Sequence, residues 1–367
     1  MNSPQELQAL IDALRQLKRD GFAGGAALAT ITYTRGSTFR RAGTSMLVCG
    51  DGRIVCELAG GCPQRDIVFR ANQVITTGIA QLVHYNRDAN YDVLIEMGCG
   101  GELDVLIEPV LDNDDIAYLD ALEHCLSERR LGSMATVFSH GDGAIYARPQ
   151  RRIDDARRTL FDNIGDRALK PLLDEQMTAL SASVERHELS TPSGKVTALL
   201  ERLRPRPALA LIGANVGVRA MVDRALTLGW QVSVLDTDAE RLVAMALPAQ
   251  VRTRVASPGM LPELLKPDEF TAVVVMTHRY ELDVEYLNAL GDTSLAYVGA
   301  IGSRDRARRM NHALDGQFDQ LHVPAGLDIG SDTPQEIALA VIAEIVATFN
   351  AREGRRLSVT SGPIHSW

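Results

Sequence analysis

From Arg204-Pro205-Arg206-Pro207 onward, strand-like and helix-like segments alternate, and this alternation restricts the fold more than any other feature of the chain. The apolar, strand-like segments are 208–212, 231–236, 271–276 and 294–298. Helical patterns lie between them, and a last helix is predicted to begin at Thr333-Pro334. Strands that alternate with helices form βαβ units around a parallel sheet. Residues 206–352 are therefore predicted to form a Rossmann-type, doubly wound domain, with a polar tail at 353–367.

The first 205 residues are less regular. Short strand patterns, glycine turns and two helical segments predict a mixed α/β domain over residues 1–125. Residues 126–205 are interpreted as a connecting region. Within it, the charged stretch 151–176 is predicted to be helical with a solvated face. The whole chain is therefore expected to be an α/β protein, with the mixed domain first and the Rossmann-type domain second.

Charge and hydropathy exclude several classes of protein. There are 38 Lys and Arg against 47 Asp and Glu, a formal net charge of −9. This charge argues against nucleic-acid binding, which depends on neutralising phosphates. The chain has no run of 18 apolar residues, and its N-terminal segment has the spacing of an amphipathic helix instead of a signal peptide. We therefore expect a cytoplasmic protein with no membrane partner.

The loops that follow the Rossmann strands carry the candidate binding residues of this domain. Ligands of open α/β sheets bind beyond the carboxyl ends of the strands. The candidates at this edge are Gly213, Asp236, His278, Ser303, Arg304 and Asp328. Ser303 and Arg304 end a glycine-flanked turn and suit a phosphate group. Asn215 stands where a dinucleotide fingerprint needs its second glycine, which argues against NAD(P) binding.

All five cysteines lie in the first 125 residues, and two of them sit among glycines. Cys62 follows Gly60-Gly61, and Cys99 precedes Gly100-Gly101. Backbone N–H groups of such turns can face an anion and lower the pKa of a thiol. Cys62 and Cys99 are predicted to contact one soft metal centre, with Gly61 and Gly100 beside them and Arg40 or Arg41 nearby. Two buried turn residues are the alternative, and the other three cysteines are assigned to the core.

Six segments together resemble the XdhC/CoxI family of maturation factors for xanthine-dehydrogenase-type and carbon-monoxide-dehydrogenase-type molybdenum hydroxylases. The N-terminal segments are RGSTFRRAGTSMLV, AGGCPQRDI and MGCGGELDVLIEP. The C-terminal segments are VVVMTHRYELD, YVGAIGSRDRARRM and GLDIGSDTPQEIALAVIAEI. By this resemblance, Cys62 and Cys99 match the characteristic cysteines of the family. His278, Ser303, Arg304 and Asp328 match motifs of its Rossmann domain.

The resemblance implies a binding protein that holds molybdenum cofactor (molybdopterin) transiently. Such a chaperone supports cofactor sulfuration by a cysteine desulfurase and hands the cofactor to an apo molybdenum hydroxylase, commonly as a homodimer. Two alternatives stay open. One is a nucleotide-dependent oxidoreductase that uses Asp236 and His278. The other is a degenerate scaffold that docks a desulfurase or a hydroxylase through its surfaces.

Overall fold

The computed structural model describes residues 2–36, 38–86, 101–141, 143–291, 293–314, 318 and 321–360. The chain forms two compact units that divide between Pro205 and Arg206. The change of pattern in the sequence at these prolines therefore coincides with a structural boundary. Within the described residues, no helix is long and apolar enough to cross a membrane.

The first unit contains an antiparallel sheet, called the first sheet, with strand order β3-β2-β1-β5-β4. Its strands are β1 (Ala26–Arg35), β2 (Ser45–Cys49), β3 (Ile54–Val55), β4 (Gln81–Tyr85) and β5 (Glu102–Val110). Helix α1 (Pro4–Arg19) packs its leucines on one face, and α2 (Gly61–Thr77) packs on the other. Because both faces are covered, seven successive residues of β1 are buried without the usual alternation.

Residues 126–205, interpreted above as a connecting region, contain a second antiparallel sheet of the same unit. Its strand order is β8-β7-β6-β10-β9. The strands are β6 (Gly132–His140), β7 (Ala144–Asp155), β8 (Thr159–Asp162), β9 (Val184–Thr191) and β10 (Gly194–Leu203). Helix α3 (Leu119–Ser127) precedes this sheet along the chain, and α4 (Leu169–Ala179) packs on one of its faces.

The predicted helix over 151–176 is wrong for its first half, which continues β7 and forms β8. Arg151, Ile153 and Asp155 are buried, and the residues between them are more exposed, which is the two-residue period of a strand. Charged residues occupy two of the three inward positions. Their partners lie in other parts of the first unit, so the period could not be recognised from hydrophobicity.

The second unit is a doubly wound parallel sheet, called the third sheet, with strand order β13-β12-β11-β14-β15. Its strands are β11 (Ala208–Ile212), β12 (Gln231–Asp236), β13 (Arg252–Val255), β14 (Thr271–Val275) and β15 (Tyr297–Ala300). Its helices are α5 (Val216–Thr227), α6 (Ala239–Ala244), α7 (Leu261–Leu265), α8 (Tyr280–Asn288), α9 (Arg304–Ala313) and α10 (Pro334–Phe349). Apolar clusters lie on both faces of the sheet, which confirms the predicted Rossmann-type fold.

Candidate functional site

The turn between β11 and α5 is fixed to the ends of the two neighbouring strands. Gly213 has a φ of +111°, and a Cβ there would lie 2.7 Å from the Cα of Thr277, so this position requires glycine. The next N–H, that of Ala214, donates to Oδ2 of Asp236 at 2.6 Å. The other oxygen of Asp236 accepts the N–H of Asp238 at 2.9 Å. The carboxylate is 96% buried by these contacts and holds the turn in place.

Asn215 spans the gap between the first helix turn of α5 and the end of β14. Its Oδ1 accepts the N–H of Gly217 at 2.9 Å, so it caps α5. Its Nδ2 donates to the carbonyl oxygen of Met276 at 2.6 Å. In dinucleotide-binding folds, the backbone at this turn lies against the pyrophosphate. Asn215 thus places a hydrogen-bonded side chain at the position where the dinucleotide fingerprint has glycine.

Asp283 joins the ends of β14, α8 and α9. Its side chain is fully buried. Oδ1 accepts the N–H of Thr277 at 3.1 Å and also the hydroxyl of Thr277, while Oδ2 pairs with the guanidinium of Arg306. A buried carboxylate is stable only with such partners, because an unpaired buried charge is costly. This network fixes the relative positions of the loops that carry His278 and Ser303.

His278 lies on the exposed loop after β14, with a φ of +63°. A residue other than glycine rarely adopts this left-handed conformation, and such strained positions concentrate at binding sites. The neighbouring contacts hold the loop in this shape, since the N–H of Arg279 donates to the Thr277 hydroxyl at 3.2 Å. His278 is thus exposed to solvent at the carboxyl edge of the sheet, as the sequence predicts.

Ser303 and Arg304 begin α9, at the same edge of the sheet. Ser303 is the N-cap, and its Oγ accepts the N–H of Arg306 at 3.2 Å. Arg304 is the first helical residue, and both side chains are exposed. Their position at a helix N-terminus, where the helix dipole favours negative charge, suits an anionic group.

Asp328 is exposed in the loop before α10. The start of this loop is fixed, because the N–H of Gly326 donates to Oε2 of Glu344 at 2.8 Å and the N–H of Ala325 donates to Ala300 O at 3.0 Å. Burial would raise the pKa of Glu344, but hydrogen bonds from His322, Tyr297 and Gly326 outweigh it and lower the pKa. Glu344 is therefore an ionised anchor for the loop.

In the first unit, the structure describes only part of the predicted thiol site. Gly60 is the N-cap of α2, Gly61 has a φ of +64°, and Cys62 is the second helical residue. Cys99 and Gly100 lie outside the described residues. The predicted approach of the two thiols thus stays a prediction. The first turn of α2 is nevertheless a position where a helix dipole favours a thiolate.

Arg40 forms an ion pair that the sequence does not predict. Its guanidinium donates to both carboxylate oxygens of Glu6, at 2.8 and 2.6 Å, and so ties the loop before β2 to the start of α1. Arg41 follows it in the same loop and is half-buried. A role for either arginine in cofactor binding stays a prediction.

The three remaining cysteines have the environment of structural thiols. Cys49 and Cys125 are buried, and Cys56 is half-buried. Burial raises the pKa of both Cys56 and Cys125 to about 11, so neither forms a thiolate readily at neutral pH. The assignment of Cys49 and Cys125 to the core is confirmed.

Sequence reasoning missed Asp283 and Arg306 as residues that organise the Rossmann edge. A signal was present, because positions 283, 286, 287 and 290 fall on one helix face. The last three are Tyr, Leu and Leu, and all are buried. An acid on an otherwise apolar helix face indicates a buried charge that needs a cationic partner.

Comparison with known proteins agrees with the sequence motifs in both units. A family model described as the XdhC Rossmann domain matches residues 209–345. A second, described as the XdhC and CoxI family, matches residues 23–86. The chain belongs to the XdhC and CoxI family. The matched ranges include Cys62 in the first unit and nearly all of the third sheet in the second unit.

Several relatives of this XdhC/CoxI chain cover most of its length. A probable xanthine dehydrogenase subunit from Bacillus subtilis is 28% identical over 92% of this chain and 96% of that protein. The molybdenum cofactor insertion chaperone PaoD from Escherichia coli is 21% identical over 88% of this chain and 83% of that protein. A crystal structure from Bacillus halodurans, described as a xanthine dehydrogenase, has a TM-score of 0.75 at 22% identity and covers 95% of this chain and 97% of that one. At this sequence identity, the structural similarity shows a shared fold.

Proposed function

We propose that this protein binds molybdenum cofactor as cargo, supports its sulfuration and hands it to a xanthine-dehydrogenase-type molybdenum hydroxylase. The observation that carries the proposal is the family match in both units, together with a relative named as a cofactor insertion chaperone over 88% of the chain. The proteins named as relatives connect the family with xanthine dehydrogenase and with cofactor insertion. A binding protein for a cofactor in transit fits both descriptions.

Each unit carries a candidate contact for this cargo, and each contact is proposed by itself. Cys62 lies in the first turn of α2, and cysteine is a residue that binds soft metals and takes part in sulfur transfer. The start of α9, with the Ser303 hydroxyl and the Arg304 guanidinium, suits a phosphate group. In this proposal Cys62 and Cys99 protect the metal centre. The pterin phosphate meets either a glycine turn of the first unit or the start of α9.

The contacts of the Rossmann turn oppose the alternative of an NAD(P)-dependent oxidoreductase. The Asp236 carboxylate, which would bind a ribose hydroxyl, is only 5% exposed, and each of its oxygens accepts a backbone N–H of the turn. Asn215 places a hydrogen-bonded side chain where the fingerprint needs glycine for the close approach of a pyrophosphate. A stoichiometric NAD(P)H titration with turnover would support the oxidoreductase instead of the chaperone.

Cofactor retention by cysteine variants tests the proposal. The protein is purified without oxygen from cells that make molybdenum cofactor, and bound pterin and molybdenum are quantified. We expect Cys62→Ser and Cys99→Ser each to weaken cofactor binding about tenfold in Kd, which is a loss of roughly 1.4 kcal/mol of binding free energy, and so to retain less cofactor. Serine is nearly isosteric, so circular dichroism should be unchanged.

Cys56→Ser is the matched control, because Cys56 is a half-buried thiol of the same unit with a raised pKa. It should retain cofactor as the unmodified protein does. Equal losses in the Cys56 and Cys62 variants, or normal activation of a hydroxylase by the double Cys62 and Cys99 variant, would contradict the proposal and favour the scaffold alternative.

The partners follow from the same proposal. A handover requires contact with an apo molybdenum hydroxylase, and sulfuration requires contact with a cysteine desulfurase. We also propose a homodimer. Co-purification of each partner and sedimentation of the isolated protein test these three contacts separately from cofactor binding.

A further inference from the structure

The two sheets of the first unit enclose a cavity that has no role in the proposal above. Its volume is about 80 Å³. The first sheet supplies Glu108 to its wall, the second sheet supplies Arg151 and Glu201, and leucines of α1 and α3 close it. The cavity therefore combines an apolar lining with a group of buried charged side chains.

Arg151 is the most informative of these side chains. It is 93% buried, its Nη2 donates to Oε1 of Glu108, and its guanidinium carbon lies 4.4 Å from the ring centroid of Tyr118. Its Nε–H has no hydrogen-bond partner among the described residues. Buried donors in proteins are nearly always paired, and leaving one unpaired destabilises the fold. An acceptor atom inside the cavity would remove this penalty.

Glu201 supplies a second, different hydrogen-bonding group. In the second sheet, Thr136 of β6 lies between Arg151 of β7 and Leu199 of β10. Glu201 is two residues after Leu199 in β10 and therefore lies on the same face of the sheet as Arg151. Burial raises the pKa of Glu201 to about 7 and outweighs the neighbouring positive charges, which lower it. Near neutral pH the Glu201 carboxyl is therefore present in both its neutral and its ionised form, and each form has an oxygen that accepts a hydrogen bond.

We propose that this cavity binds a small uncharged molecule with an amide- or urea-type edge. Its carbonyl oxygen accepts the Nε–H of Arg151, and its N–H donates to the carboxyl of Glu201. A charged ligand is disfavoured, because an added ion would lose its hydration in a cavity lined largely by apolar side chains. The volume is about half of the roughly 150 Å³ of a cavity that binds benzene, so the ligand has only a few non-hydrogen atoms. A bicyclic pterin exceeds this size, and the site is independent of the cofactor proposal.

Titration of the full chain with acetamide tests this site, followed by the chemical shifts of the lining side chains. We expect saturable binding, and acetone, which keeps the carbonyl but has no N–H, should bind about tenfold more weakly. Arg151→Lys keeps the charge opposite Glu108 but removes the Nε–H, and should weaken acetamide binding by about tenfold or more. Arg152→Lys is the matched control, because Arg152 is the next residue of β7 and pairs with Asp154 and Asp174 outside the cavity lining. It should change the affinity less than about twofold.

Glu201→Leu keeps the proposal testable if the Arg151 variant does not fold. This variant removes the acceptor for the ligand N–H, so acetamide and acetone should then bind with equal affinity. A crystal soaked in acetamide should place its oxygen on the Nε of Arg151. Ordered water at that atom with no saturable shift in solution, binding at crystal concentration only, or equal binding by the Arg151→Lys variant would overturn the proposal.

Discussion

At the scale of single residues, Asn215 connects the sequence argument to the structure. The sequence identified it as the wrong residue for a pyrophosphate turn. The structure assigns it two tasks, because one amide caps α5 and also bonds to the backbone at the end of β14. Because these two hydrogen bonds are made within the protein, they hold the turn in shape without a bound ligand. The departure from the dinucleotide fingerprint is thus a structural feature of this Rossmann unit.

Asn215→Ala removes both hydrogen bonds and should destabilise the second unit by about 2 kcal/mol, the sum of one helix cap and one buried hydrogen bond. Asn215→Asp keeps the acceptor for the Gly217 N–H but cannot donate to the Met276 carbonyl. It should therefore lose the second bond and keep the first. Urea unfolding midpoints measure both variants. An unchanged midpoint for Asn215→Ala would mean that the bridge contributes nothing to stability.

At the scale of secondary-structure elements, the Rossmann unit was predictable, and strand β7 of the second sheet was not. Segments such as 208–212 and 271–275 are short apolar runs, since both faces of a parallel strand are covered, and such runs are easily recognised. Strand β7 instead carries Arg151 and Asp155 at inward positions. Its charges are neutralised by residues far away in sequence, and no local pattern reveals them.

The candidate site residues likewise include some whose position the sequence predicts and some whose contacts it does not. Loops at the carboxyl ends of parallel strands meet at one edge for topological reasons, so Gly213, Asp236 and His278 could be placed together from sequence. The Arg40 pair with Glu6 could not, because it joins two segments through a tertiary contact. The sequence carries the residue types of such a pair but gives no indication of its geometry.

That ion pair gives helix α1 a predictable pH dependence. Burial would raise the pKa of Glu6, but Arg40 and Ser3 outweigh it and lower the pKa below its usual value. Because the folded-state pKa is the lower one, the contribution to stability is full above the unfolded value of about 4.3 and is lost as the pH falls through the folded-state value. Lowering the pH from about 6 to about 3 should therefore destabilise the unmodified protein more than Glu6→Gln.

Thermal unfolding across this pH range measures the difference. Asp51→Asn is the control, because Asp51 pairs with Arg53 on an exposed hairpin, and exposed ion pairs contribute little to stability. A Glu6→Gln profile that is parallel to that of the unmodified protein would show that the pair does not stabilise α1.

At the scale of the whole molecule, the hydrophobic clusters of the described residues fall into two sets, and no cluster contains residues from both sides of Pro205. A unit with its own core can unfold on its own. We therefore expect two unfolding transitions, each sensitive to substitutions in only one unit. Trp230 offers a reporter for the second unit, because it is 93% buried and packs edge-on against Phe349 at 5.6 Å.

The chain has two tryptophans, so Trp367→Phe leaves Trp230 as the single emitter. In that background, Asn215→Ala should move the fluorescence transition to lower urea, since it weakens the turn that begins α5. Glu6→Gln should leave the fluorescence midpoint unchanged and shift only the far-ultraviolet circular dichroism transition of the first unit. Equal shifts of the fluorescence midpoint by both substitutions would instead mean that the units unfold as one, with each core depending on the other for its stability.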